Sequence, residues 1–189
     1  MEETAVLVID MQNETLHPEG RLSGEFPQQA QGLIESVRGL VAWAHAGGVP
    51  VIWLRLAFRP GHFDAVRDSM SREHGTFIDG EWGADILDGL GKDPGDVVVT
   101  KKRPSGFFDT DLDIVLRGRG IHQLIVSGIS THWAVESTVR DGHSHDYQMI
   151  VVPEAVASPF PEFHQPSLRA MGSVFAKLTP LAEVIGQSA

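Results

Sequence analysis

The chain has 189 residues, the length of one domain with room for a substantial core, and an ordinary apolar fraction of 42%. Its formal net charge of −10 and pI near 5.3 argue against nucleic acid and anionic membranes as partners, although a locally basic pocket for a small anion stays open. The absence of cysteine excludes disulfides, thiolate metal sites and thiol catalysis.

The N-terminus, Met1-Glu2-Glu3, is acidic and runs at once into a short apolar stretch. A signal peptide needs a basic start and a longer apolar run. No run approaches a membrane span. The expectation is a soluble cytoplasmic protein. Ala5–Ile9 reads as a first buried strand, ending at Asp10 in the pattern I-D-M-Q. Gln28–Ala46 carries Leu33, Ile34, Val37, Leu40, Val41 and Ala44 at helical spacing and stops at Gly47-Gly48. Val49–Leu54 is a second strand. Residues 57–94 form a long excursion with several glycines, His62, His74, Trp82 and a short predicted helix, Ala84–Leu90. Such an excursion in a compact domain suggests a lid or an oligomer contact. Asp96–Thr100 predicts a third strand, followed by Lys101 and Lys102 in T-K-K-R-P-S-G-F-F. Asp111–Arg119 predicts a helix with Leu112, Val115 and Leu116 on one face, closed by Gly120. Gln123–Ser127 is a fourth strand, Ala134–His145 a helix, Gln148–Val152 a fifth strand and Pro166–Met171 a shorter helix. Ser173–Leu178 is a weaker sixth strand.

Strands that are apolar throughout and alternate with helices predict a parallel sheet covered on both faces. The fold class is therefore a three-layer α/β/α, Rossmann-like single domain over residues 1–189, with about six strands. No repeat or low-complexity tract interrupts it.

In such sheets, ligands bind at the carboxyl ends of the strands. Asp10 lies at one such end, where partial burial would raise its pKa toward neutrality and suit it to move protons; capping a turn is the alternative use. Lys101 and Lys102 end another strand. Either one would hold a carboxylate ionised or stabilise a developing anion, and either one equally well would be a solvated basic turn. At the third strand end, Gly128-Ile129-Ser130-Thr131 leads into a helix beginning near Trp133. The free N–H groups of that turn suit an oxyanion, and Thr131 suits a cap.

These three segments together, I-D-M-Q, K-K-R-P-S-G-F and G-I-S-T-H-W-A-V-E-S-T, resemble the isochorismatase-like hydrolases, or cysteine hydrolase superfamily. The likeness extends to the 75–82 loop, the approach from Phe107 to Leu112 and V-V-P-E-A after strand five. It implies the strand order 3-2-1-4-5-6 and a non-proline cis peptide at Ile129–Ser130. The family pattern K-x-R-x-S-x-F selects Lys101 over Lys102. The family triad is Asp, Lys and Cys, so the resemblance implies Asp10 and Lys101 as catalytic residues, with Ala134 at the cysteine position. Gln12, Trp82, Arg103, Phe107, Ser130, Thr131, His132 and Trp133 become candidates for contact with a small-molecule substrate. Family members are dimers or tetramers, and the expectation is a homodimer or homotetramer.

Ala134 cannot attack a carbonyl, and losing a nucleophile costs on the order of 10⁶ in kcat, roughly 8 kcal/mol. One branch of the family, the isochorismatases, cleaves a vinyl ether with a small residue at this position and an Asp as proton donor, and His132 matches that branch. Ser130-Thr131 is closer to the amidases. Three readings follow: a hydrolase with Asp10 as general acid/base, Lys101 as electrostatic partner and no covalent nucleophile; an amide or ureide C–N hydrolase whose nucleophile has been replaced by Ala134; or an inactive binding protein. The nine histidines show no ligand spacing. His143 and His145 are two apart on a helix, and Leu54-Arg55-Leu56-Ala57 lacks the family's Asp-x-His pair. Neither a metal nor a cofactor is expected.

Overall fold

The computed structural model describes residues 3–25 and 30–186. Six parallel strands, β1 (Thr4–Ile9), β2 (Val51–Leu56), β3 (Val97–Lys101), β4 (Gln123–Ile129), β5 (Gln148–Ala157) and β6 (Lys177–Leu178), form one sheet in the order β3-β2-β1-β4-β5-β6. Among the described residues, seven α-helices accompany them: α1 (Asn13–Leu16), α2 (Ala30–Ala46), α3 (Met70–His74), α4 (Leu112–Gly118), α5 (Glu136–Ser144), α6 (Pro161–Ala170) and α7 (Leu181–Gly186). The expected α/β/α layering is present. The first two residues of the predicted helix 28–46 lie outside the described residues.

β1 shows why the sheet forms here. All six of its residues are buried, and alternate ones serve opposite faces of the pleat. Ala5, Leu7 and Ile9 join one core with Leu112, Leu116, Val135 and Val139, from the α4 and α5 side. Val6 and Val8 join the other, with Leu33, Val37, Leu40, Val41 and Ala44 of α2. Two cores on opposite faces of one strand require helices on both sides.

β5 runs five residues beyond its expected end, to Ala157, the short α1, α3 and α7 were not expected, and three further elements depart from the sequence expectation. No helix forms over 84–90. A short 3₁₀ turn, Trp82–Ala84, is followed by extended backbone, because Gln12 and Ile86 make an antiparallel bridge and Leu87 N donates to Met11 O. α6 begins at Pro161 rather than Pro166; Pro161 occupies the first helical turn, where its missing N–H costs nothing. β6 is reduced to two residues, with Met171–Phe175 wound as a π-helical turn before it.

Candidate active site

The strand order reverses between β1 and β4, and the carboxyl ends of β1, β3 and β4 open there on a cavity of about 280 Å³. That is the crevice where open α/β sheets bind ligands.

Asp10 follows β1 with φ 52, a left-handed conformation that Asp tolerates better than most side chains. Its N–H donates to Leu54 O and its carbonyl accepts from Gln12 N, both at 2.9 Å, which fixes the turn. Lys101, the last residue of β3, is 1% exposed. Its Nζ donates to Asp10 Oδ2 at 2.6 Å and to Arg103 O at 3.3 Å. Asp10 Oδ1 is buried and has no hydrogen-bond partner. Burial pushes the Asp10 carboxyl above its ordinary value, and the charge and hydrogen bond of Lys101 offset this only in part. One oxygen is paired and the other is orphaned, so the ionised form is under-solvated and protonation relieves it.

β4 enters the site through Gly128, at φ 114 and paired with Ile9. A Cβ at Gly128 would collide with the Ile9 backbone carbonyl, so β1 and β4 can lie this close only with glycine here. The Ile129–Ser130 peptide is cis. Thr131–Val135 form a π-helical turn that runs into α5, and such turns recur at functional sites. Ile129, Ser130, Trp133 and Ala134 all border the cavity. Thr138 Oγ1 donates to Ala134 O at 2.7 Å and accepts from Gly106 N at 2.9 Å, tying the turn to the segment after β3.

The excursion supplies the opposite wall. Phe58, Val66, Met70 and Phe77 border the cavity with Leu22 and Leu56, and Asp68, Ser69 and Ser71 lie at its edge. Lys102 and Arg103 also reach it. Lys102 Nζ donates to Ala57 O at 2.8 Å and pairs with Asp64 Oδ2 at 3.0 Å. Arg103 Nη1 donates to Asp64 O at 2.9 Å and Lys102 O at 2.6 Å. A wider depression of about 380 Å³ between His143, Tyr147, Met149 and Phe175 receives none of these strand-end groups.

The fold thus brings Asp10, Lys101, Arg103, Ser130, Trp133 and Ala134 together around one cavity, and five of the other sequence candidates stand outside it. Gln12 is fully buried; its amide donates to Leu56 O and Ala84 O and accepts from Leu56 N, leaving it to brace the site from behind. Phe107 belongs to the core and stacks on His145. Thr131 Oγ1 is hydrogen-bonded to His164 Nδ1 at 2.9 Å. His132 Nδ1 is hydrogen-bonded to Ser158 Oγ at 2.8 Å, its ring lies between Phe160 and Phe163, and burial lowers its pKa. Trp82 is exposed and packs edge-on against His17. Sequence reasoning missed Leu22, Met70 and Phe77 as walls and Asp64 as the partner of Lys102. Only the length of the excursion pointed toward Met70, Phe77 and Asp64, and nothing pointed toward Leu22. Among the described residues, no group of three or more His, Asp or Glu is placed to hold a metal ion, and no helix is long and apolar enough to cross a membrane.

Comparison with known proteins agrees with this fold. The family described as "Isochorismatase domain" matches residues 4–183. Ureidoacrylate amidohydrolase RutB of Methylorubrum extorquens is 33% identical over 199 residues, spanning 95% of this chain and 80% of the relative. The crystal structure of a cysteine hydrolase from Pseudomonas syringae pv. phaseolicola superposes with a TM-score of 0.87 at 30% identity, covering 97% of this chain and 91% of that one. N-carbamoylsarcosine amidase from Thermoplasma acidophilum gives a TM-score of 0.79 at 28% identity, covering 96% and 98%. The chain belongs to the isochorismatase family of hydrolases.

Proposed function

We propose that the protein hydrolyses a small metabolite without a covalent nucleophile, with Asp10 as general acid/base and Lys101 as its electrostatic partner. The observation that carries this reading is the largely buried Asp10–Lys101 ion pair beside a cavity where the position of a nucleophile holds only the methyl group of Ala134. A carboxyl raised by burial retains a proton to higher pH than usual and gives it up when Lys101 holds the resulting anion. As an acid, Asp10 protonates the departing or vinyl-ether portion of the substrate, and water completes the cleavage. As a base, it draws the proton from that water. The site needs no thiol for either role.

The test is turnover of a panel of vinyl ethers, amides and ureides, followed across pH. Turnover is expected to vanish in Asp10→Asn. Its pH profile should bend above the ordinary carboxylate value of 3.8, rising with pH if Asp10 acts as base and falling if it acts as acid. Turnover that persists in Asp10→Asn overturns the reading.

A second reading has its own support. The names of the relatives, ureidoacrylate amidohydrolase and N-carbamoylsarcosine amidase, point to C–N hydrolysis with Ala134 standing where those enzymes' family carries a nucleophile. Ureide turnover that appears only in Ala134→Cys favours it. Absence of turnover in both forms, with binding retained, favours an inactive binding protein. The proposal includes a homo-oligomer in contact through the 57–94 excursion; sedimentation of a monomer would remove that part.

A further inference from the structure

The turn that carries Ala134 is held from behind by groups that never reach the cavity. Thr131–Val135 wind as a π-helical turn, a rare form. Ser130, Trp133 and Ala134 border the cavity, but among the described residues no member of α6 does. α6 instead grips the residue that opens the turn. Thr131 is fully buried. Its Oγ1 is hydrogen-bonded to His164 Nδ1 at 2.9 Å, and its carbonyl oxygen lies 3.2 Å from Ser167 Oγ. His164 and Ser167 stand at i and i+3 on α6, so they share one helix face.

The two contacts are not equal. Ser167 has a single hydroxyl proton and two acceptors, Thr131 O at 3.2 Å and Glu136 Oε2 at 2.5 Å. Glu136 is ion-paired with Arg140 and is the stronger acceptor, so Ser167 holds the Thr131 carbonyl weakly. Thr138 secures the far end of the turn through Ala134 O at 2.7 Å, and His132 meets Ser158 beyond β5. His164 is left as the firm tie at the near end, beside Ser130. Burial lowers the pKa of His164 below its ordinary value, so near neutral pH the ring meets Thr131 uncharged.

From this arrangement we infer that His164 is a positioning residue of the reactive site: acting through Thr131, it sets where Ser130 and Ala134 stand relative to Asp10 and Lys101. A reactive constellation must be held to within about 0.5 Å by the groups behind it, and a misplacement of about 1 Å costs on the order of 10²-fold in rate. α6 is thus part of the site's frame although it contributes nothing to the cavity wall.

The catalytic part of the inference rests on hydrolysis in this cavity, so its test includes an arm that needs no substrate. Amide hydrogen exchange is followed in the native chain, His164→Leu, His164→Asn and Ser167→Ala. In His164→Leu, exchange over residues 130–135 should quicken by at least about tenfold while the amides of β1 and β3 keep their native rates; a merely structural role would raise all of them together. His164→Asn offers Thr131 an amide near the place of Nδ1 and should restore slow exchange. Ser167→Ala should quicken the turn less than His164→Leu does. On the best substrate of the hydrolytic panel, kcat in His164→Leu should fall at least about tenfold with KM unchanged, the mark of a contribution made in the transition state. Should His164→Leu fail to fold, Thr131→Val removes the same bond from the other side and is judged by the same measures. Turnover that survives Asp10→Asn overturns the hydrolytic reading and leaves the exchange result standing, so the two ideas fail separately. The inference is overturned by native exchange over 130–135 in His164→Leu, by a rise shared equally with β1 and β3, by failure of His164→Asn to restore the turn, or by an unchanged kcat.

Discussion

Asp10 and Glu14 are carboxylates four residues apart, the first largely and the second fully buried, each held by a cation, and their surroundings leave them in opposite states. Glu14 is 1% exposed. Its oxygens accept from Arg21 Nε at 2.8 Å, Arg21 Nη2 at 2.9 Å, Arg21 N at 3.1 Å and Phe77 N at 3.4 Å. Burial alone would raise its pKa, but these donors outweigh it and hold the carboxyl below its ordinary value. Asp10 has one close donor, Lys101, on one oxygen, its other oxygen makes no hydrogen bond, and Lys101 with the nearby Leu56 N–H offsets burial only in part, so its carboxyl sits above its ordinary value. A cation nearby does not by itself decide the state of a buried acid; the number of satisfied lone pairs does. Glu14 is built to stay charged. It fastens the start of the chain to the excursion, since Arg21 Nη1 also donates to Gly75 O at 2.8 Å. Asp10 is built to change.

The largest expected effect comes from completing the reactive side of that contrast. Ala134→Cys adds a thiol in the turn before α5, bordering the cavity that Asp10 and Lys101 also border. On the second reading, in which Asp10 and Lys101 await a nucleophile, ureide or amide turnover should rise by at least about 10³-fold, a fraction of the ~10⁶-fold that a nucleophile is worth in a catalytic unit. Steady-state assays on small ureides check it; no gain would mean that the turn is not arranged for attack.

Next in size is Asp10→Asn. General acid–base groups contribute about 10²- to 10⁴-fold, so kcat/KM on the best substrate should fall by that factor. The Asn carbonyl can still accept from Lys101, so cooperative unfolding should be preserved. An equal loss in Glu14→Gln would erase the contrast between the two acids.

How much of this was legible in the sequence divides along the same line. The strand ends were legible, because a strand buried on both faces must be apolar along its length, and a polar residue closing such a run stands out. Asp10, Lys101 and the Gly128–Ala134 turn were found that way, and the family likeness fixed the strand order and separated Lys101 from Lys102. The excursion was not legible. Its contacts are made by extended and turn segments with no period, such as the bridge between Phe58 and Ile78. Gln12 shows the limit: its place in I-D-M-Q suggests a ligand contact, but which side of the backbone its amide serves depends on Leu56 and Ala84, more than forty residues away. Glu14 gave no signal, since its partners Arg21 and Phe77 share no regular spacing with it.

Glu14→Gln should cost about 2 kcal/mol of stability, because two charge-assisted bonds weaken and the new amide N–H₂ faces a donor. Arg21 is partly exposed and recovers some hydration, which keeps the loss from being larger. For a chain of this size that is roughly 4–8 °C in Tm. The sign with pH follows from the lowered pKa. The native advantage is fully present above the ordinary value of 4.5 and fades as pH falls through the lower folded-state value. The gap between native and Glu14→Gln should therefore close in acid. Asp10 runs the other way: its raised folded-state pKa means its burial penalty is present above that value and is relieved as pH falls toward 3.8. Denaturant melts of both proteins across this range separate the two contributions.

The smallest effect belongs to a third carboxylate, Asp113 on α4, which resembles Glu14 in chemistry but not in place. Arg117 Nε donates to both of its oxygens, at 3.0 and 2.8 Å, across an i,i+4 spacing, yet the Arg117 side chain is 62% exposed. Truncating it in Arg117→Ala leaves no orphan, because Tyr147 Oη still donates to Asp113 at 2.8 Å and water reaches the remaining lone pairs. The expected loss in Tm is the smallest of the three, barely measurable, and it should shrink further in 1 M salt. A loss as large as that of Glu14→Gln would show that lone-pair count outweighs burial, and the distinction between the anchored acid and the surface acid would have to be redrawn on that basis.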